Sequence, residues 1–191
     1  MNSQKLRRRE TAMLGLLTAV TIILINTPLG TLSIGSISIT IAHIPVIIAT
    51  LILGLRAGLI VSLIFGLNSL LIALMAPTTI LDPLFVNPLV SILPRLFIPI
   101  TTHYSFKALA SIRLQNKALL AAVVGNLTNT IMVCIALYVF VGDKIASIMG
   151  QSALTVVLAI MSAAIVPETI AVAVIVTPIV SRLYKKYAVT K

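Results

Sequence analysis

The sequence predicts an all-α membrane protein, a six-transmembrane-helix bundle, and three observations carry that expectation. The chain of 191 residues is 59% hydrophobic and only 9% charged, whereas soluble domains carry roughly a quarter charged residues; its mean hydropathy is +1.16. Its apolar runs are about 20 residues long, rich in Leu, Ile, Val and Ala, which suits helices crossing a ~30 Å hydrocarbon core better than barrel strands. Its basic residues gather at the ends of those runs, so the net charge of +10 reports membrane topology and lipid contact rather than a nucleic-acid partner.

The expected spans are 11–26, 40–54, 57–75, 88–108, 117–140 and 154–182 of one domain covering 1–191. The first follows "KLRRRE", a basic start like a signal peptide's, but no small-x-small cleavage site follows it, and five further apolar stretches do. The second is short and contains Pro45, so a re-entrant segment is its alternative. Lys5, Arg7, Arg8, Arg9, Arg56, Lys107, Arg113, Lys117, Arg182, Lys185, Lys186 and Lys191 then share one side of the membrane. The opposite segments, 27–39, 76–87 and 141–153, hold Lys144 alone among basic residues, with Asp82 and Asp143. Twelve against one places both termini in the cytoplasm.

The outer segments are elaborate. Residues 30–41, "GTLSIGSISITI", alternate apolar and polar on both sides of Gly35, which predicts a short hairpin or extended flap. The loop "APTTILDPLFVNP" carries three prolines and Asp82 and is long for a helix connection. The alternative is that these loops merely cover the bundle.

Arg95, in "VNPLVSILPRLFIPI", is the residue most in need of a role. A charge near mid-bilayer costs roughly 2.5–3.5 kcal/mol and turns toward a partner or a wet cavity. Counting along a helix puts it about 10 Å below the outer end of the fourth span. Asn87, Ser91 and Arg95 recur every four residues on one broad face, and Pro94 and Pro99 loosen the backbone so that carbonyls are released. A guanidinium fork suits a carboxylate or phosphate. It equally suits an ion pair, for which Glu168 in "IVPETIAVAV" is the credible embedded partner, expected roughly 20 Å below the outer surface and deeper than Arg95. Both uses at once are compatible.

In "GNLTNT", Asn126, Asn129 and Thr130 share one helix face, either as glue between helices or as hydrogen-bond partners of a polar ligand. His43, at the outer end of the second span, is a further ligand candidate; Asn68 and His103 read as structural. Thr11, Gly15 and Ala19 form a small-residue stripe that lets another helix approach, within the bundle or from a second subunit. Cys134 is a lone cysteine in an apolar run and reads as packing.

No phosphate-loop, H-E-x-x-H or G-x-S-x-G motif is present, and two separated histidines with one cysteine make no nucleophile or metal constellation. The chain is therefore not expected to be an enzyme, to bind a metal or to need a cofactor. Two halves of comparable length do not repeat, as many secondary transporters would show.

Nearly the whole chain resembles the substrate-binding membrane subunit, the S component, of energy-coupling factor (ECF) vitamin transporters. The resemblance rests on the basic start with the stripe Thr11, Gly15, Ala19, on "ITIAHIPVIIATLILGLRAGLIVSLIFGL", on "LVSILPR", and on "NLTNT" and "PETIAVAVIVTPIV". Within the family, "DPLFVNPLVSILPR" is similar to the pantothenate-specific members. The resemblance implies an outward-facing vitamin pocket between the outer halves of the last three spans, closed by the flap 30–41 and the loop 76–87. It also implies docking, through the small-residue face, onto a transmembrane coupling subunit (EcfT) bearing two ATP-binding-cassette ATPases, with toppling in the membrane to deliver ligand. The family stripe is usually Ala-x-x-x-Ala, and Gly15 and Ala19 stand in its place here. Pantothenate's carboxylate would meet Arg95, and its hydroxyls and amide would meet Asn87, Asn126 and Asn129. Other vitamins or precursors (pyridoxine, hydroxymethylpyrimidine, riboflavin), an intramembrane enzyme using Glu168 with a histidine, and a passive scaffold are the alternatives.

Overall fold

A computed structural model describes residues 3–34, 37–77 and 82–187. Among the described residues there are seven α-helices: α1 (Ser3–Ile25), α2 (Ile44–Leu53), α3 (Leu55–Met75), α4 (Pro88–Ser91), α5 (Leu93–Ala108), α6 (Leu114–Met149) and α7 (Ala153–Tyr187). Between α1 and α2, strands β1 (Thr31–Ile34) and β2 (Ile37–Thr40) pair antiparallel, from Thr31 opposite Thr40 to Ile34 opposite Ile37. The alternating segment thus makes its hairpin, although the turn at Gly35 lies outside the described residues, as does 78–81 of the proline-rich loop. The rest of that loop includes a 3-10 turn, Asp82–Val86.

Several boundaries differ from expectation for local reasons. The second span starts at Ile44 rather than residue 40, because Thr40 still belongs to β2 and Pro45 occupies the first helical turn. The fourth span breaks at Ile92, giving one short turn and then α5. Segment 141–153, expected as loop, is mostly helix: α6 kinks at Val141 (φ −138°, ψ 16°) and continues to Gly150, whose left-handed φ of 64° ends it. Ser152 then accepts the Thr155 N–H to begin α7. Asp143 and Lys144, expected in a loop, lie on this helical continuation beside the buried Ile145.

The core has two parts. Around α2, whose residues Ile44–Ile52 are all buried, pack Leu17 of α1, Val61 and Phe65 of α3, Ile98 of α5, Ala121 and Ala122 of α6, and Val172 and Val176 of α7. A second cluster joins Leu84 and Val90 to Cys134, Leu137, Val141, Ile145, Val156 and Val157 at the far end of the α6 and α7 pair. Cys134 is buried packing there, as expected. The outward faces are apolar as well: Ile60, Leu71, Val139, Val166 and Val174 are exposed. That is the pattern of helices solvated by lipid. Among the described residues α3, α6 and α7 are each long and apolar enough to cross a membrane; α2, at ten residues, is not.

Candidate functional site

The site begins with two prolines. A helical proline leaves the carbonyl four residues before it without its N–H donor. Pro94 frees the carbonyl of Val90, and Pro99 frees that of Arg95 itself. Both are taken up by side chains: Arg95 Nη1 donates to Val90 O at 2.6 Å, and the Ser62 hydroxyl donates to Arg95 O. The sequence "LPRLFIP" therefore builds its own cradle for the guanidinium.

Helix α3 supplies the opposite wall. Gly58, Ser62 and Gly66 recur every four residues and are buried. A Cβ on Gly66 would stand 2.9 Å from Ile92 Cα, and one on Gly58 would stand 2.8 Å from Pro99 Cβ. These small residues let α3 press against the α4–α5 break, where Ser62 reaches the freed carbonyl. Phe65 and Phe85 then place their rings 5.6 and 5.2 Å from Arg95 Cζ, favourable contacts for a desolvated cation. Arg95 is 6% exposed. Its Nη2 reaches only Ser69 Oγ, at 3.5 Å, and its Nε has no partner among the described residues. Unused donors remain on a buried cation.

Facing it are α6, α7 and the start of α2. Asn126 donates through Nδ2 to Thr169 Oγ1 at 3.0 Å, while its Oδ1 and the Oδ1 of Asn129 are buried without a partner among the described residues. Glu168 is 3% exposed; Oε1 accepts the Thr40 N–H and Oε2 accepts the Thr130 hydroxyl, each at 2.9 Å. His43, fully buried just before α2, neighbours the Asn126 amide and the Thr40 backbone, but neither ring nitrogen reaches hydrogen-bonding geometry. Thr102 Oγ1 on α5 is likewise unpartnered, against the face of α6 where Gly125 has no side chain. Arg95 lies within electrostatic range of Glu168. A buried unpaired polar atom costs about 1–3 kcal/mol, and several in one neighbourhood mark a place a polar ligand can complete.

The structure thus brings Arg95, His43, Asn126, Asn129, Thr130 and Glu168 into one polar region. Asn87 and Ser91 lie at its edge with local duties: Asn87 Oδ1 caps α4 by accepting the Leu89 N–H at 3.0 Å, and the Ser91 hydroxyl donates to Phe85 O. One of the alternatives is not observed. Among the described residues no ion pair joins Arg95 to Glu168, since the carboxylate is occupied by Thr40 and Thr130. Glu168 meets the backbone where the hairpin enters α2. Ser62, Ser69, Phe65, Phe85 and Thr40 were missed, although the spacing of Gly58, Ser62 and Gly66 was a readable sign of close helix approach.

The other candidate face lies elsewhere. Thr11, Gly15 and Ala19 are exposed on α1, and a Cβ on Gly15 would meet nothing within 4 Å.

Comparison with known proteins agrees with this architecture. Residues 9–182 match the family described as "ECF transporter, substrate-specific component". The pantothenic acid transporter PanT of Lactococcus lactis subsp. cremoris (strain MG1363) is 31% identical over 152 residues, 67% of this chain and 76% of that protein. ThiT from Listeria monocytogenes shares the fold, with a TM-score of 0.66, 21% identity, and coverage of 95% of this chain and 97% of that one. The chain belongs to the ECF transporter family as a substrate-specific component, a multi-pass protein of the bacterial plasma membrane and a transporter subunit rather than an enzyme.

Proposed function

We propose that this S component captures pantothenate from outside the cell. One observation carries the ligand chemistry: Arg95 is buried, held in place by Val90 O and two phenylalanine rings, and still has donors to offer. A carboxylate is the natural acceptor for that fork. The unpartnered oxygens of Asn126 and Asn129 suit the hydroxyls and amide N–H of the same ligand, with His43 beside them. Ser91 and Asn87 shape the rim, and Thr130 and Glu168 line the far wall. The identity to PanT supports the same ligand.

In this reading six segments cross the membrane, α2 as a short crossing and α4 with α5 as one, and both termini are cytoplasmic. S components in general work with EcfT and two ATP-binding-cassette ATPases; the exposed Thr11, Gly15 and Ala19 face of α1 is the docking surface for EcfT, and ATP hydrolysis belongs to the partners. Isothermal titration of the purified protein with pantothenate tests the assignment. Saturable binding at or below micromolar concentration is expected, and its absence there ends the pantothenate reading.

A further inference from the structure

We infer that Glu168 is a positioning residue that clamps the root of the β1–β2 hairpin, and so sets how long a captured ligand stays. The inference rests on the proposed ligand capture only for its consequence; the clamp itself is a matter of the hydrogen bonds between Glu168, Thr40 and Thr130.

Two four-residue strands are marginal alone in water and need anchoring at their base. The base is built at Gly30 and Thr40. Gly30 O accepts both the Ile41 N–H at 2.8 Å and the Thr40 hydroxyl at 3.1 Å, and Thr40 Oγ1 accepts the Ala42 N–H at 3.2 Å. Gly30 is pressed so closely on the Leu24 backbone that a Cβ there would overlap the Leu24 carbonyl. Thr40 is the last strand residue before Ala42 and α2, which are locked in the core. Any swing of the hairpin relative to the bundle therefore turns about the Thr40 region.

Glu168 bridges that pivot to the helices. Its two carboxylate oxygens face different elements: Oε1 accepts from the Thr40 backbone and Oε2 from Thr130 of α6, while its own backbone belongs to α7. One side chain thus fastens β2 to α6 and α7 together. The tie is self-limiting, because a carboxylate released by opening regains water, and part of the bond's strength returns as hydration. A buried carboxylate is thereby suited to a clamp that holds firmly but can release.

Hydrogen–deuterium exchange of the full-length, ligand-free protein in lipid nanodiscs, followed by mass spectrometry of peptides spanning 37–44, reads the clamp directly. Glu168→Ala is expected to speed exchange there about tenfold, the scale of losing a charge-assisted hydrogen bond, with α6 and α7 exchanging as in the wild type. Glu168→Gln keeps an acceptor for Thr40 and can donate to Thr130 Oγ1, so it is expected to restore most of the protection. Glu168→Ala should also speed ligand dissociation more than it slows association. If Glu168→Ala does not fold, Thr130→Val carries the test with an expected two- to threefold acceleration, on the order of a weakened orienting bond. Unchanged hairpin exchange in Glu168→Ala or Thr130→Val overturns the inference, as does a Gln variant as fast as Ala. A wild type that fails to bind pantothenate while Glu168→Ala still loosens the hairpin would end the ligand assignment and leave the clamp standing.

Discussion

Helices α2 and α6 both run through the interior of the bundle, but they are buried for opposite reasons. Helix α2 is apolar almost throughout; its one buried hydroxyl, Thr50, donates to its own Val46 carbonyl at 2.7 Å. Nothing on it asks for another molecule. Helix α6 buries Ala118, Ala121, Ala122 and Gly125 as a packing surface and then turns Asn126, Asn129 and Thr130 into the same interior. Two of those side chains keep oxygens without a partner among the described residues. In a chain whose outside is as apolar as its inside, hydrophobicity does not distinguish core from surface. Polar atoms do, and those left unpaired separate a binding wall from a structural one.

Substitutions can sharpen or break that contrast. The largest expected effect is at Arg95: Arg95→Ala removes the guanidinium and leaves Val90 O without its donor, so ligand affinity should fall at least a hundredfold, on the order of the 3–5 kcal/mol for breaking a buried charged pair. Arg95→Lys should lose most of that affinity too, because a compact ammonium cannot serve Val90 O and a ligand together. Next comes Asn129→Ala, expected to weaken binding about tenfold, in line with one hydrogen bond of roughly 1.4 kcal/mol, with little change in melting temperature. Ile52→Val on α2 should do the reverse, costing about 1 kcal/mol of stability by thermal unfolding while affinity stays within about twofold. A large affinity loss from Ile52→Val would erase the distinction between the two helices. Smallest for the isolated protein is Gly15→Leu: with no neighbour within 4 Å, binding and melting temperature should be unchanged. Vitamin uptake by cells carrying the complete transporter should nevertheless drop if α1 docks onto the coupling subunit.

The legible and illegible parts of the fold divide along the same line. Arg95 stood out because a charge inside an apolar run is costly, and "GNLTNT" because amides three residues apart share a helix face. The hairpin was legible from its alternation. Contacts between distant elements were not: nothing local tells Glu168 to choose Thr40 and Thr130 over Arg95, since that choice depends on how the hairpin root packs against α6 and α7. Charges misled at Asp143 and Lys144, which sit on an extended helix rather than in a loop, and the end signal was Gly150. The role of Pro94 and Pro99 was half visible. Their spacing frees two carbonyls, but only the packed structure assigns those carbonyls to Arg95 and Ser62 instead of to a ligand.

Ligand capture as proposed turns on Arg95 receiving the ligand's carboxylate. Calorimetric titration of the wild-type protein with pantothenate and with its primary-amide analogue, which differ only in that group, tests it most directly. The amide is expected to bind at least a hundredfold more weakly, the order of losing a charge-assisted bidentate contact in a buried site. Equal affinity for acid and amide would contradict it and leave Arg95 with a structural role alone.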